Sequence, residues 1–405
     1  MNSYKEAVAT VFSLRTWAQL GLLAFATFMY VTFELYPVGI IPTIAADLQV
    51  SESKIGLLVS GYAIVAAAAT FPAVALASRI SRKQAMLLAL GFLIASEFLA
   101  AVAIDYNQMV GSRVLAAATH GLFWSLVIPV ATATIPRERI GLATSIVFAG
   151  VSLATIVGVP ASTALSNMVG WHTTAVILAI GTIATTVGLY FSLPGDIRDG
   201  ADDVDATVRA QDCRSDVRYQ WVRAGIICFF TLTLVAAHFV AYTYFSLIVF
   251  RVVGNADSVA IFLAIFGIAG AAATVLFGRY NDASPQGSAF AMVGVYCLAA
   301  LGLLLGWLDL PLMVRYAMLT LAMIAWGGAT AAVAPIFQSA IIRSAKDVQE
   351  RASAVYVTCF QIGIAAGSAI GAAIVGASLF WLPMVMLVVS ACTLAGIMRF
   401  RHAYA

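Results

Sequence analysis

The sequence has very little charge for its length. Only 10% of its 405 residues are Asp, Glu, Lys or Arg, whereas 62% are hydrophobic. A water-soluble protein of this size needs many more charged residues on its surface. The scarcity of charge therefore excludes a soluble enzyme or a nucleic-acid-binding module, and it predicts a protein that lies mostly within a lipid bilayer.

Motifs for ATP binding and metal binding are also missing from the sequence. The chain contains no G-x-x-x-x-G-K-[ST] phosphate loop, so we expect no ATP-driven pumping by this chain alone. Its five cysteines are scattered without a CxxC pair, and we expect them to pack as small hydrophobic residues. We therefore expect no cofactor, no metal site and no enzymatic activity.

Apolar segments long enough to cross a membrane make up most of the chain. A spanning helix needs about 20 apolar residues, because the hydrocarbon core is about 30 Å thick and each residue adds about 1.5 Å. In lipid, a helix satisfies the backbone polar groups of such a segment internally. We predict twelve spans, numbered 1 to 12 below, at residues 17–41, 54–77, 85–104, 108–133, 141–167, 173–193, 222–249, 257–278, 287–307, 311–336, 352–377 and 380–398. The predicted fold class is an all-α membrane protein with twelve transmembrane helices.

One long polar segment divides the chain into two halves. Residues 194–221 contain seven Asp and four Arg, and such a segment cannot bury apolar surface. We predict a charged cytoplasmic linker there, between an N-terminal six-helix half at 1–193 and a C-terminal six-helix half at 222–405. Arg113 and Arg315 match at an offset of 202 residues. Parallel six-helix repeats of this kind are typical of alternating-access transporters.

The placement of basic residues predicts the orientation in the membrane. If the spans alternate in direction, all but four of the 22 Lys and Arg residues fall on the side that carries both termini. Cytoplasmic loops carry the excess of positive charge in membrane proteins. We therefore predict a multi-pass protein of the bacterial inner (plasma) membrane, with both termini in the cytoplasm.

The loop between spans 2 and 3 resembles a motif of the major facilitator superfamily, G-x-L-a-D-r-x-G-r-r, at residues 74–83. It keeps the basic residues of that motif, which are Arg79, Arg82 and Lys83. Ser78 stands where the family has Asp, whereas the corresponding loop of the second half has Gly278 and Asp282. The resemblance covers essentially the whole chain and implies the major facilitator fold, with two pseudo-symmetric halves. It also implies that these loops bias the conformational equilibrium on the cytoplasmic side.

Span 5 resembles the Gly/Pro-rich motif of drug:proton antiporters at Gly150, Gly158 and Pro160. In span 11, Gly363 and Gly367 lie four residues apart and present a smooth face. Small residues allow membrane helices to approach closely. We interpret both sets as packing positions, which also suit helices that slide.

Two further segments are similar to the bacterial efflux branch that contains arabinose and sugar exporters. They are the Phe-Glu-Leu-Tyr-Pro-Val-Gly run at 33–39 and the His-Gly-Leu-Phe-Trp-Ser run at 120–125. The resemblance implies proton-coupled export of sugar-like compounds or drugs. Purine-nucleoside exporters share parts of the pattern, so they remain an alternative.

Glu34 is the principal candidate for proton coupling or for solute binding. A charge at the centre of a membrane helix costs about 2.5–3.5 kcal/mol on insertion scales, so a charged residue there indicates a functional or structural role. A carboxyl group withdrawn from water can alternate between its protonated and ionised forms. The resemblance places an essential arginine at Arg113, which is a second coupling candidate. The alternatives are a structural pairing of Glu34 with Arg113, and an Arg113 side chain that extends to the headgroups.

His120 and Glu97 are weaker candidates for proton coupling. His120 follows Arg113 by two helical turns on the same face, and imidazoles titrate near neutral pH. It is equally well interpreted as a hydrogen-bonded packing residue. Glu97 lies late in span 3, where it either pairs with a group in the cavity or reaches the outer interface.

Several aromatic and polar residues are candidates for solute binding. They are Trp124, His238, Tyr242, Tyr244, Gln338 and Gln361. His238 follows Glu34 by 204 residues, so the repeat places it at the equivalent point of span 7. Aromatic residues in membrane helices often serve as packing or interfacial residues instead.

The sequence thus predicts a secondary transporter that exports a small polar solute or drug, with sugar-like compounds favoured, by proton antiport. An uncoupled facilitator or an uptake symporter on the same scaffold is the alternative from another class. The expected partners are a small-molecule substrate, protons and the lipid bilayer, and the chain is expected to act as a monomer without nucleic acid.

Overall fold

A computed structural model gives the fold of the chain. It describes residues 13–77, 79–133, 135, 140–194, 214–345 and 349–404. The helices of the N-terminal half are Leu14–Leu35, Ile41–Asp47, Glu52–Ala77, Arg82–Ala101, Tyr106–Ala118, His120–Thr132, Ile140–Leu153, Val159–Val169 and Trp171–Ser192. Those of the C-terminal half are Arg214–Tyr242, Phe245–Val253, Ser258–Ala283, Pro285–Leu305, Leu312–Ser344, Gln349–Val375 and Trp381–Arg399. The described part of the chain contains no β-strand.

The predicted number of spans is confirmed. Among the described residues, eleven helices are long and apolar enough to cross a membrane, and a bent pair, Phe245–Val253 with Ser258–Thr274, supplies a twelfth candidate. We keep the predicted numbering of the spans. We also call the side that carries the start of span 1 and the end of span 12 the terminal side, and the opposite side the distal side.

The ends of span 7 differ from the prediction. The helix begins at Arg214, inside the segment 194–221 that was predicted as linker, and ends at Tyr242 rather than at 249. Residues 195–213 of the predicted linker lie outside the described residues. After Tyr242 the apolar sequence continues as a separate helix, Phe245–Val253. Gly254 follows the last residue of this helix, and its φ of 72° suits glycine. Hydropathy alone cannot show such a turn, because the residues on both sides of it are apolar.

Three spans contain an interruption that matters for the site. Span 1 ends in a tight 3₁₀ turn, Tyr36–Gly39, directly after Glu34 and Leu35. Span 4 is interrupted at Thr119, immediately before His120. Span 5 contains a π-helical turn, Ala154–Gly158, and such turns are frequent at functional sites.

The two halves are in contact on the distal side. The Ser53 and Ser60 hydroxyls of span 2 donate hydrogen bonds to carbonyl oxygens of span 11, those of Ala372 at 2.6 Å and Ala365 at 2.8 Å. Span 8 meets the π-helical turn of span 5 at Gly267, where an added Cβ would overlap backbone atoms. Gly267 belongs to no motif of the sequence and was not predicted as a packing position.

The glycines that were predicted as packing positions lie inside each half. Gly150 and Gly158 of span 5 lie against span 1, where an added Cβ would overlap neighbouring atoms. Gly363 and Gly367 of span 11 lie against span 7 in the same way. Pro160 lies in the first turn after the π-helical segment, where the missing N–H costs little.

On the terminal side, each half is closed by a bond between its first and last spans. Arg15 of span 1 donates to the Ser192 carbonyl oxygen at the end of span 6, at 3.0 and 3.1 Å. Arg223 of span 7 donates to the Ala403 carbonyl oxygen, after span 12, at 3.2 Å. Basic side chains at helix C-termini stabilise the last carbonyl groups there.

Part of the predicted loop motif takes part in this closure. The Lys83 ammonium group donates to the Leu193 carbonyl oxygen at 2.8 Å, within the N-terminal half. Arg79 and Arg82 lie beside it at the terminal side of spans 2 and 3. Ser78 lies outside the described residues. Gly278 and Asp282 are described only as parts of the helix backbone. Any role of the motif in the conformational equilibrium stays a prediction.

Candidate functional site

A cavity of about 630 Å³ lies between the two halves. Its lining residues from spans 2 and 4 belong to the second parts of those helices, so the cavity extends from Glu34 toward the terminal side. The wall consists of Glu34, Ala67, Thr70, Phe71, His120, Gly121, Trp124, Ser125, Ala334, Tyr356, Val357, Thr358, Phe360, Gln361 and Ile364. Small-molecule sites have about this size, with mostly apolar walls and a few convergent polar groups.

Glu34 lies at the distal end of the cavity, in the last turn of the first helix. Its side chain is 21% exposed, and its carboxylate Oε2 lies 3.8 Å from Nδ1 of His120. Glu34 also lines a much smaller void, which adjoins the cavity and includes Arg113, Tyr62 and Gln361. The Glu34 side chain is therefore accessible from the cavity, although most of its surface is covered by protein.

His120 is the centre of a cluster of polar groups at this end of the cavity. The Tyr62 hydroxyl lies 2.9 Å from Nδ1 of His120, and the Gln361 amide nitrogen lies 3.5 Å from Nε2. The interruption of span 4 at Thr119 places the imidazole at the start of a new helical segment. We call Glu34, Tyr62, His120 and Gln361 the polar cluster. It combines a carboxyl group, an imidazole and a phenol within reach of one another, which is a set of groups that can pass a proton.

Arg113 holds the end of span 1 rather than the Glu34 carboxylate. Its guanidinium donates to the Phe33 carbonyl oxygen at 2.9 Å and to the Glu34 carbonyl oxygen at 3.4 Å. It also lies over the rings of Phe33 and Tyr36, at 4.7 and 5.4 Å. These carbonyl groups end a helix and need donors. Arg113 therefore fixes the backbone that carries Glu34.

Aromatic side chains form much of the remaining cavity wall. Trp124 lies one turn beyond His120, and its ring packs on Phe148 with 6.4 Å between centroids. Tyr356 and Phe360 enter from span 11, and the Tyr356 hydroxyl donates to the Ala334 carbonyl oxygen at 3.3 Å. Because these rings converge on one space, they can bind a flat or apolar part of a solute.

Glu97 lies away from the cavity, between spans 3 and 6. It is fully buried, and its Oε1 accepts a hydrogen bond from the Thr182 hydroxyl at 2.9 Å. Its other oxygen is buried without a partner in the described part of the chain. The cavity lining does not include Glu97.

His238 lies in an aromatic cluster of the C-terminal half. Its Nδ1 accepts a hydrogen bond from the Trp326 indole N–H at 3.1 Å, and Tyr242 packs on its ring at 4.7 Å between centroids. The same indole N–H lies 3.2 Å from the Tyr296 hydroxyl. Phe266 completes this cluster. Neither His238 nor Tyr242 is among the residues that line the cavity.

The remaining solute-binding candidates lie apart from the polar cluster. Tyr244 is fully buried on the distal side, and its hydroxyl occupies the space that a side chain at Gly56 would need. Gln338 is exposed on span 10, one turn beyond Ala334. Of the six candidates, the cavity thus brings together Trp124 and Gln361.

Tyr62 and Trp326 were not predicted from the sequence. Tyr62 carries no distinguishing pattern, because a tyrosine in an apolar helix resembles a packing residue. Trp326 follows Trp124 by 202 residues, the same offset that relates Arg113 to Arg315. The repeat therefore contained the information needed to find Trp326.

Comparisons with known proteins agree with this architecture. The family model described as Major Facilitator Superfamily matches residues 23–368. Two chloramphenicol efflux pumps of Mycobacterium tuberculosis, from strains CDC 1551 and H37Rv, are each 34% identical over 388 residues, which is 95% of this chain and 91% of the relative.

Solved transporter structures share the fold. A variant of the peptide transporter POT has a TM-score of 0.75 at 13% identity, covering 96% of this chain and 95% of that chain. The nucleoside transporter NupG has a TM-score of 0.72 at 13% identity, covering 96% and 99%. A bacterial homologue of the human lysosomal transporter Spinster, in an inward-facing and unoccupied conformation, has a TM-score of 0.71 at 13% identity, covering 96% and 98%. At this identity the likeness shows the fold alone.

Proposed function

The chain belongs to the Major Facilitator Superfamily of membrane transporters, and from this premise we propose that it exports a small amphipathic drug in exchange for protons. The observation that carries the proposal is the polar cluster at the closed end of a cavity between two six-helix halves. Alternating access requires such a site near the midplane, open to one side at a time.

The cavity geometry supports export. In the described conformation the halves are in contact on the distal side and the cavity extends toward the terminal side. We place both termini in the cytoplasm, as the distribution of basic residues predicts. The cavity then takes up a solute from the cytoplasm, and closure of the terminal side releases it on the distal side.

The polar cluster supports proton coupling. Glu34 is the ionisable carboxyl group of the cavity wall, and His120 lies 3.8 Å from it. A proton that enters from the distal side can bind Glu34, and its release to the cytoplasm leaves a carboxylate that the solute or His120 must satisfy. Arg113, which binds the backbone at Glu34, keeps this carboxyl group in place.

The cavity wall favours an amphipathic drug over a sugar. Phe71, Trp124, Tyr356 and Phe360 contribute rings, whereas hydrogen-bonding groups converge at the Glu34 end. A solute with a ring at one end and hydroxyl or amide groups at the other satisfies both parts. The relationship to chloramphenicol efflux pumps supports the same substrate class. A sugar-like solute, as the sequence resemblance implied, and a purine nucleoside are the competing substrates.

Inside-out membrane vesicles with an acidic interior test the proposal. Addition of chloramphenicol should raise the internal pH, which a pH-sensitive dye reports, because each imported drug molecule is exchanged for protons. Arabinose and a purine nucleoside are added to matched samples. The Glu34→Gln variant should give no response to the drug.

The matched control is Glu97→Gln, which makes the same replacement in a buried acid outside the cavity. It should retain the response. A signal from arabinose or the nucleoside alone would replace the proposed substrate. Drug equilibration without a pH change in the wild-type protein would favour an uncoupled facilitator.

A further inference from the structure

We propose that Gln361 couples the protonation state of Glu34 and His120 to the C-terminal half. The proposal rests on the proposed proton antiport, and it assigns Gln361 a positioning role rather than that of an ordinary solute ligand. Gln361 lies on span 11, whereas the other members of the polar cluster lie on spans 1, 2 and 4.

The contact between Gln361 and His120 connects the two halves at the polar cluster. It is a hydrogen bond between two side chains of opposite halves, one on span 4 and one on span 11. The cross-half hydrogen bonds from Ser53 and Ser60, in contrast, are made to backbone carbonyl oxygens, which carry no information about a side chain's protonation. Gln361 lines both the cavity and the small void beside Arg113. It therefore lies where the open and the closed parts of the interface between the halves meet.

Two groups lie beside Nδ1 of His120 and compete for it. The Tyr62 hydroxyl lies 2.9 Å from Nδ1, within hydrogen-bond distance, and can donate to it. The Glu34 carboxylate lies 3.8 Å away and reaches hydrogen-bond distance as an acceptor only by moving closer. When Glu34 is ionised, Nδ1–H donates to the carboxylate and a neutral imidazole leaves Nε2 as an acceptor. When Glu34 is protonated, Nδ1 accepts from Tyr62 and Nε2–H becomes a donor.

Gln361 can satisfy both states because its amide carries donors and an acceptor. A half turn of the amide exchanges the NH₂ group for the carbonyl oxygen at the position that faces Nε2. The protonation state of Glu34 thus determines whether Nε2 of His120 needs a hydrogen-bond donor or an acceptor from the Gln361 amide. Since the amide belongs to the C-terminal half, loading or release of the proton changes a bond between the halves.

Other ionisable groups near His120 are already engaged. Arg113 on the same span binds the backbone of span 1. The Tyr30 hydroxyl donates to the Ala116 carbonyl oxygen at 2.8 Å. On span 3, which packs against this part of span 4, Glu97 accepts from Thr182. Glu34 and Tyr62 therefore remain as the groups that exchange at Nδ1.

The test uses the full-length protein in proteoliposomes, with chloramphenicol as the probe. Two quantities are compared: exchange of labelled drug at equal pH on both sides, and drug accumulation driven by a pH gradient. Gln361→Met keeps the side-chain length but removes the donors and the acceptor. Gln361 also lines the cavity, so the replacement lowers both quantities, but we expect accumulation to fall about tenfold more than exchange, as for a typical coupling free energy.

Gln361→Glu provides a rescue that a purely structural role would not show. The acid form of Glu carries both a donor and an acceptor, whereas the ionised form can only accept. Accumulation by this variant should therefore recover as the pH is lowered, relative to the wild type. Gln286→Met, the same replacement at a half-buried glutamine at the start of span 9, is the matched control and should behave as wild type.

The outcomes separate this proposal from the proposed function. Equal losses of exchange and accumulation in Gln361→Met would identify Gln361 as a simple solute ligand and overturn the coupling role. A Gln361→Met protein that folds normally and accumulates drug as well as the wild type would overturn the coupling role too. A wild-type protein that moves no protons with the drug would overturn the proposed antiport, and the coupling role with it.

Discussion

The two halves place matched residues in very different surroundings. Glu34 of span 1 faces His120 at the end of the cavity. His238 of span 7, which the sequence repeat predicts as its counterpart, accepts a hydrogen bond from Trp326 and is enclosed by aromatic rings. One half therefore presents ionisable groups to the cavity, and the other uses the equivalent position for packing. A repeat preserves the backbone path and the depth of a residue, but the neighbouring spans determine what that residue can do.

The arginines of spans 4 and 10 show the same contrast. Arg113 bonds two carbonyl oxygens at the end of span 1. Arg315 makes no comparable side-chain bond to the end of span 7 within the residues that the structure describes, and its Nε is buried without a partner. The N-terminal half thus reinforces the backbone beside its ionisable residue, and the C-terminal half has no equivalent bond among those residues.

The largest expected effect distinguishes Glu34 from His238. Glu34→Gln removes the proposed proton-carrying group, and we expect gradient-driven drug accumulation to fall by about 100-fold, as is typical for loss of an acid–base group. His238→Gln replaces a packing residue, so transport per folded protein should stay within about twofold. Accumulation in proteoliposomes, normalised to monodisperse protein, measures both. Comparable losses in the two variants would show that both halves carry the chemistry.

An intermediate effect is expected for the matched arginines. Both hydrogen bonds of Arg113 come from the guanidinium nitrogen Nη1, and the planar group lies over the Phe33 and Tyr36 rings, an arrangement that the compact ammonium group of lysine does not reproduce. Arg113→Lys should therefore weaken the contact with the end of span 1 by about one hydrogen bond from a charged group, about 1.5–3 kcal/mol, and slow coupled transport by about tenfold or more. Arg315→Lys should change the rate by less than about twofold. Initial rates of drug-driven proton movement measure the difference, and equal rates in the two variants would refute the positioning role of Arg113.

The smallest effect separates the two tryptophans, and it concerns stability rather than rate. Trp326→Phe leaves His238 and Tyr296 without their indole donor, which should lower the free energy of unfolding by about 1–3 kcal/mol. Trp124→Phe keeps an aromatic ring on the cavity wall, so it should leave stability unchanged and raise the KM for the drug a few-fold. Thermal unfolding in detergent and transport kinetics together test the pair. A reversal of the two results would mean that the C-terminal cluster faces the solute.

The fold was predictable because long apolar segments have few alternatives in lipid. The interruptions at Thr119, at Ala154–Gly158 and after Tyr242 were not, since apolar residues continue across each of them and tertiary packing determines where the helix breaks. Glu34 was identified by the cost of a charge in a membrane, Arg113 by the family resemblance, and His120 and Gln361 as single polar groups on spans 4 and 11. Their grouping was not predictable, because it depends on how spans 1, 2, 4 and 11 meet. Tyr62 was missed for that reason.

The bonds that tie the first span of each half to its last have an evolutionary consequence. Arg15 binds the end of span 6, and Arg223 binds the segment after span 12. A six-helix unit that is already closed in this way does not need the other unit to complete its own packing. Such a unit can be duplicated and appended through a polar segment without remaking either copy. In such an arrangement one unit is able to carry ionisable groups while the other keeps its aromatic packing.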